Sequence, residues 1–66
     1  MENHVRALRK ALGLSQEELG KRCGVSRQTI NAIENQKYDP SLPLAFQLAH
    51  ILGTTVDALF LPNLDA

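Results

Sequence analysis

The sequence predicts an all-α domain of five short helices, and three observations carry that prediction. Apolar residues recur at helical spacing along most of the 66 residues. Ser15, Ser26, Ser41 and Thr55 each stand just before such a stretch, where a hydroxyl can cap free backbone N–H groups. Gly13, Gly24 and Gly53 stand where the stretches stop. No segment alternates in the manner of a half-buried strand.

The first helix is read from about Asn3 to Leu12, with Val5, Leu8 and Leu12 on one face and Ala11 beside them. The second begins after Ser15, which with Glu18 makes an S-x-x-E capping box. Its inward residues are Leu19 and Cys23. Gly20 inside it should cost roughly 1 kcal/mol relative to Ala, a loss that close approach of another helix would explain. Gly24 supplies the positive φ of a sharp turn. The third helix follows Ser26 and runs to about Asn35. Ile30 and Ile33 share one face, Gln28, Asn31 and Ala32 point the opposite way, and Arg27 lies at the edge of the first turn. Glu34 falls near the apolar side, an odd place for a carboxylate. A loop with Asp39-Pro40 leads to the fourth helix, where Pro43 fits the first turn and Ala45, Leu48, Ala49 and Leu52 form the buried stripe. Phe46 lies off that stripe and fits either the core edge or a subunit contact. The fifth helix carries Val56, Leu59 and Phe60 at i, i+3 and i+4, and Pro62 prevents its continuation.

Composition narrows the function. The length predicts one domain, residues 1–66, with a modest core that dimerisation would help to stabilise. The single cysteine, Cys23, allows no internal disulfide and favours a reducing, cytoplasmic setting. It reads as an inert core thiol, and His4 and His50 as solvent-facing side chains. No metal site is expected, because one Cys and two distant His lack ligand spacing. No signal pattern and no membrane span is read, and there is no nucleophile–base pair or glycine-rich phosphate loop to suggest an enzyme. No cofactor or small-molecule ligand is expected. The formal net charge is zero, yet it is unevenly placed. Residues 1–38 hold all seven Lys and Arg against four Glu, hence +3, while residues 39–66 hold three Asp, hence −3. The basic part contains the segment Leu14–Lys37, an asymmetry that suggests one DNA-facing side.

Two short helices joined by a tight turn at Gly24, with polar side chains opening the second, have the layout of a helix-turn-helix unit over residues 15–35. The major groove of B-DNA admits one α-helix, whose N-terminal residues reach base edges. Arg27, Gln28 and Asn31 are the candidate base contacts, and Ala32 can touch a thymine methyl. Gln16 and the free N–H groups that open the second helix are candidate phosphate contacts, joined by Ser26, Thr29, Asn35, Gln36, Lys37 and Tyr38.

With LSQEEL (Leu14–Leu19), GVSRQTINAIENQK (Gly24–Lys37) and LGTTVDALF (Leu52–Phe60), the chain resembles the Cro/C1-type, or Xre-like, helix-turn-helix family from about Val5 to Phe60. That family includes lambdoid phage repressors and restriction-modification controller proteins. The resemblance implies a lambda-repressor-like domain, a prokaryotic or phage origin, and action on the nucleoid as a homodimer on a near-palindromic operator, more often as repressor than activator. It implies a phosphate contact at Gln16 and base contacts at Arg27 and Gln28. The position of Ala32 reads bases in some phage members, and alanine there removes polar readout. It also implies a structural ion pair between Arg9 and Glu34, which accounts for the inward Glu34. Residues before the first helix and after the fifth can pair as a short β-ribbon, as in some short family members. Phe60, Leu61 and Leu64 are assigned to the dimer interface. The alternative reading is an antitoxin-type module that binds a partner protein as well as DNA.

Overall fold

The computed structural model describes residues 1–62 and 64. Five helices follow one another: α1 (Val5–Ala11), α2 (Gln16–Cys23), α3 (Arg27–Glu34), α4 (Leu42–Ile51) and α5 (Val56–Leu59). A two-stranded antiparallel ribbon joins the ends, β1 (Glu2–Asn3) pairing with β2 (Phe60–Leu61) in the register Glu2↔Leu61 and Asn3↔Phe60. None of the helices among the described residues is long and apolar enough to cross a membrane.

The caps are chemical. Ser15 Oγ accepts from the Glu18 N–H at 3.0 Å and Glu18 Oε1 accepts from the Ser15 N–H at 3.1 Å, so both halves of the capping box are closed. Ser26, Ser41 and Thr55 accept from the N–H three residues on. Helix α1 is shorter than its periodicity predicts. His4 precedes it without a side-chain cap bond, and it ends at Ala11.

Val5, Leu19, Ile30, Ile33, Leu48 and Leu59 are the large side chains fully removed from solvent, and Cys23, Leu44, Ala45, Ala49, Leu52 and Phe60 complete the core. Burial of apolar area at ~25 cal/mol per Å² makes this cluster the main stabilising term. Three sequence expectations are corrected here. Leu12 caps α1 beyond its last packed turn and is 54% exposed. Phe60 is extended rather than helical (φ −110°, ψ 135°), which turns its ring into the core at 5% exposure. That ring therefore packs in the core, and its remaining edge borders the apolar surface beside Met1 and Val56. The neighbour that requires Gly20 is not another helix body but the turn that follows. A Cβ there would stand 2.7 Å from the Val25 carbonyl oxygen and 3.3 Å from Ser26 backbone atoms. The approach lets the Val25 N–H donate to Gly20 O at 2.9 Å and sets how α3 leaves α2. Gly24 takes φ +72° in that turn.

Candidate nucleic-acid interface

Helix α3 divides cleanly into an inner and an outer face. Ile30 and Ile33 are 0% and 1% exposed, while Arg27, Gln28 and Asn31 are open to solvent and Ala32 is half-buried. The buried isoleucines therefore fix which side chains α3 presents. Gln16, from the first turn of α2, joins Arg27, Gln28 and Asn31 around a shallow polar cleft of about 300 Å³. A second polar hollow shares Arg27 and Gln28 and is otherwise bounded by Glu17, Lys21, Val25 and Ser26. Arg27 and Gln28 thus line both polar depressions.

The other candidate contacts divide by whether their polar atoms already have partners. Ser26 Oγ caps α3 and lies 3.1 Å from the Thr29 hydroxyl. Asn35 folds back, donating from Nδ2 to Asn31 O at 3.0 Å and to Asn31 Oδ1 at 3.2 Å, while its Oδ1 accepts from Arg6. Gln16 donates from Nε2 to Glu34 Oε1 at 3.1 Å. Lys37 and Tyr38 extend into solvent after α3, Tyr38 at 49% exposure. Gln36 closes α3 in the left-handed region at φ 62°, its N–H donating to Ile33 O at 3.1 Å and the Lys37 N–H to Ala32 O at 2.9 Å. For a residue with a Cβ that conformation costs roughly 1–2 kcal/mol, which glycine would avoid.

Beneath this surface lies a buried carboxylate. Glu34 closes α3 with its side chain fully inaccessible. Arg9 meets it with a two-pronged grip, Nε to Oε2 at 2.7 Å and Nη2 to Oε1 at 3.1 Å, and its Nη1 donates to Leu14 O at 2.9 Å. Arg6 Nε adds 3.2 Å to Oε1, and Arg6 Nη2 reaches Asn35 Oδ1 at 2.9 Å. Burial pushes the Glu34 carboxyl up. Hydrogen bonds from Arg9, Gln16 and Arg6, with the Arg9 charge, outweigh it and hold the group below the usual carboxylate range. The Glu34 hydrogen bond raises Arg9 further. Sequence reasoning missed Arg6, which no periodicity marks as different from any solvated arginine. It also missed Asn3, whose Nδ2 ties the N-terminal strand to Ile33 O at 2.9 Å. Among the described residues no group of three His, Cys, Asp or Glu is placed to hold a metal, and burial pushes the Cys23 thiol up.

A five-helix core with a glycine turn between α2 and α3, and a polar outer row on α3, defines a helix-turn-helix nucleic-acid-binding domain. The sequence profile of the helix-turn-helix family HTH_3 matches residues 5–59. The chain belongs to this Cro/C1-type helix-turn-helix family of DNA-binding transcriptional regulators. It is 49% identical over 61 residues to an uncharacterized HTH-type transcriptional regulator of Methanocaldococcus jannaschii, MJ0272, covering 92% of each chain. Its fold is similar to the restriction-modification controller protein C.AhdI of Aeromonas hydrophila, with a TM-score of 0.78, 35% identity and 86% of each chain covered. Hydroxypropylphosphonic acid epoxidase from S. wedmorenis also contains this fold, with a TM-score of 0.78 and 27% identity. There the match covers 88% of this chain and only 31% of that enzyme. The family and the relatives matched along most of their length are regulators, so the likeness to the epoxidase is that of a shared module.

Proposed function

We propose that this protein is a homodimeric transcriptional repressor that inserts α3 into the major groove of each half of a near-palindromic operator. The observation that carries the reading is the exposed row Arg27, Gln28 and Asn31 on a helix whose other face is locked into the core. Gln28 suits bidentate pairing with adenine and Arg27 suits guanine or a phosphate. Asn31 reaches one turn further along, and Ala32 offers a methyl contact. Gln16, Gln36, Lys37 and Tyr38 hold the flanking phosphates, with Ser26, Thr29 and Asn35 supporting them from the helix ends.

A single α3 offers too few base contacts for specificity, so dimerisation is part of the mechanism. Leu42 and Phe46 on α4 are 65% and 59% exposed, and Met1 and Leu61 are 43% and 41% exposed. Two adjoining apolar hollows that share Met1, Val56 and Phe60 connect this surface, one reaching Leu42 and the other Phe46 and Pro62. These exposed apolar side chains adjoin one another across the two hollows, and a contiguous apolar surface of this kind suits association with a second copy. Recognition helices of a helix-turn-helix dimer stand roughly 34 Å apart, in successive major grooves on one side of the duplex, and a second copy packed here has to meet that spacing. Leu64, 82% exposed, extends the same tail. The likeness to a restriction-modification controller protein supports a regulatory role.

The test is fluorescence anisotropy with duplexes from around the protein's own gene, across a salt series. Tight binding to one near-palindromic duplex, with a steep salt dependence, is expected. Equally weak binding to every sequence would contradict the proposal, and copurification of a second protein from the native host would favour the antitoxin-type reading.

A further inference from the structure

We propose that Glu34 is a positioning residue for DNA binding, acting through Gln16. The proposal rests on the DNA-binding reading above and adds a role to a carboxylate that never touches DNA.

Arg9 alone satisfies Glu34. Its fork gives each carboxylate oxygen a donor, at 2.7 and 3.1 Å. The bond from Gln16 Nε2 to Oε1, at 3.1 Å, is additional and comes from a different element. Gln16 is the first residue of α2, half-buried, and it walls the polar cleft that also holds Arg27, Gln28 and Asn31. A free glutamine at a helix start samples several rotamers, and ordering it on binding costs affinity. Here one N–H of the amide is already engaged inside the protein. The second N–H and the carbonyl oxygen have no partner among the described residues. The amide is thus held at the cleft with a donor to spare for a phosphate oxygen. The buried carboxylate does not repel that phosphate, because Arg6 and Arg9 outnumber it two to one. Arg6 is half exposed and adds its own attraction.

Because a phosphate contact is independent of sequence, the test needs no operator. The probe is a duplex of roughly 20 base pairs of scrambled sequence at low salt. Gln16→Ala is measured in the native protein and in the Arg9→Met/Glu34→Leu background, which replaces the ion pair with an apolar pair and removes the acceptor for Gln16. Lys37→Ala is the control in both. In the native protein Gln16→Ala is expected to weaken binding roughly three- to tenfold per site, the value of a pre-ordered side chain. In the apolar background the same change is expected to cost less than about twofold, while Lys37→Ala costs the same in both. An equal Gln16→Ala loss in both backgrounds would overturn the proposal.

Nitrogen-15 relaxation of side-chain amides in the free native protein is the second measurement and needs no variant. Gln16 is expected to be more ordered than Gln28 and Gln47, which are exposed on α3 and α4, and equal mobility would overturn the proposal. If the native protein does not bind the duplex at all, the DNA-binding reading itself fails, an outcome told apart because it appears before any substitution is made.

Discussion

Glu34→Ala should be the most damaging polar truncation in this protein, and the structure says why. The carboxylate takes four hydrogen bonds from three residues, and its side chain is fully inaccessible. Truncation leaves Arg9, 8% exposed, with only its bond to Leu14 O. Removing one member of a buried ion pair typically costs about 3–5 kcal/mol. The surviving Leu14 bond, and the half-exposed positions of Arg6 and Gln16, place this case at the low end, about 3 kcal/mol. A chain of this size has roughly 3–10 kcal/mol of stability in total. The expected outcome is a urea midpoint lowered by about 2–3 M, since small domains show slopes near 1 kcal/mol per M. Far-UV circular dichroism at pH 7 and fixed protein concentration reads it. The double change Arg9→Met/Glu34→Leu removes both charges together and should stay within about 1 kcal/mol of the native protein or exceed it. A single truncation costing under about 1 kcal/mol would show that the ion pair does not hold α3 in place, and so would a double variant as unstable as the single one.

Other outcomes follow from the same geometry. Because Glu34 is held below the ordinary carboxylate value, its stabilisation is complete above that range and is lost as pH falls from about 5 through its lowered value. Urea midpoints against pH should therefore fall in acid for the native protein and fall less for Arg9→Met/Glu34→Leu. Gln36→Gly should raise stability by about 1 kcal/mol by relieving the positive φ, and should weaken DNA binding if the side chain is kept for phosphate contact. Thermal melting and anisotropy on the same sample separate the two effects. Leu42→Glu with Phe46→Glu should leave the helix content unchanged and shift the protein to monomer in analytical ultracentrifugation, since both side chains are already in solvent. Gly20→Leu should cost about 2 kcal/mol or more, because its Cβ would press on the Val25 carbonyl.

Helix existence was legible because hydroxyl caps announce it. Ser15 with Glu18, and Ser26, Ser41 and Thr55, each accept the backbone N–H that their spacing implies. Ends and faces were less legible. The period alone puts Leu12 with Val5, but the helix stops first. Phe60 extends the α5 period by one residue, yet the chain has already turned extended, so its burial comes from a strand geometry that two residues cannot signal by alternation. Leu44 joins the core because α4 buries a face one residue wider than the stripe of Ala45, Leu48, Ala49 and Leu52. The outer row of α3 was readable from Ile30 and Ile33 alone. The network around Glu34 was readable only as far as Arg9. Arg6, Gln16 and Asn35 join it through distances of 3.2 Å or less that depend on how three helices meet, and no single-helix pattern encodes that.

Base reading by α3 is proposed to run through Gln28, and Gln28→Ala assayed against the operator and a set of single-base variants of it tests this most directly. A loss of about 1–3 kcal/mol of discrimination is expected at one base position in each half-site, with preference elsewhere unchanged. Uniform weakening across all sequences, with every base preference intact, would contradict it.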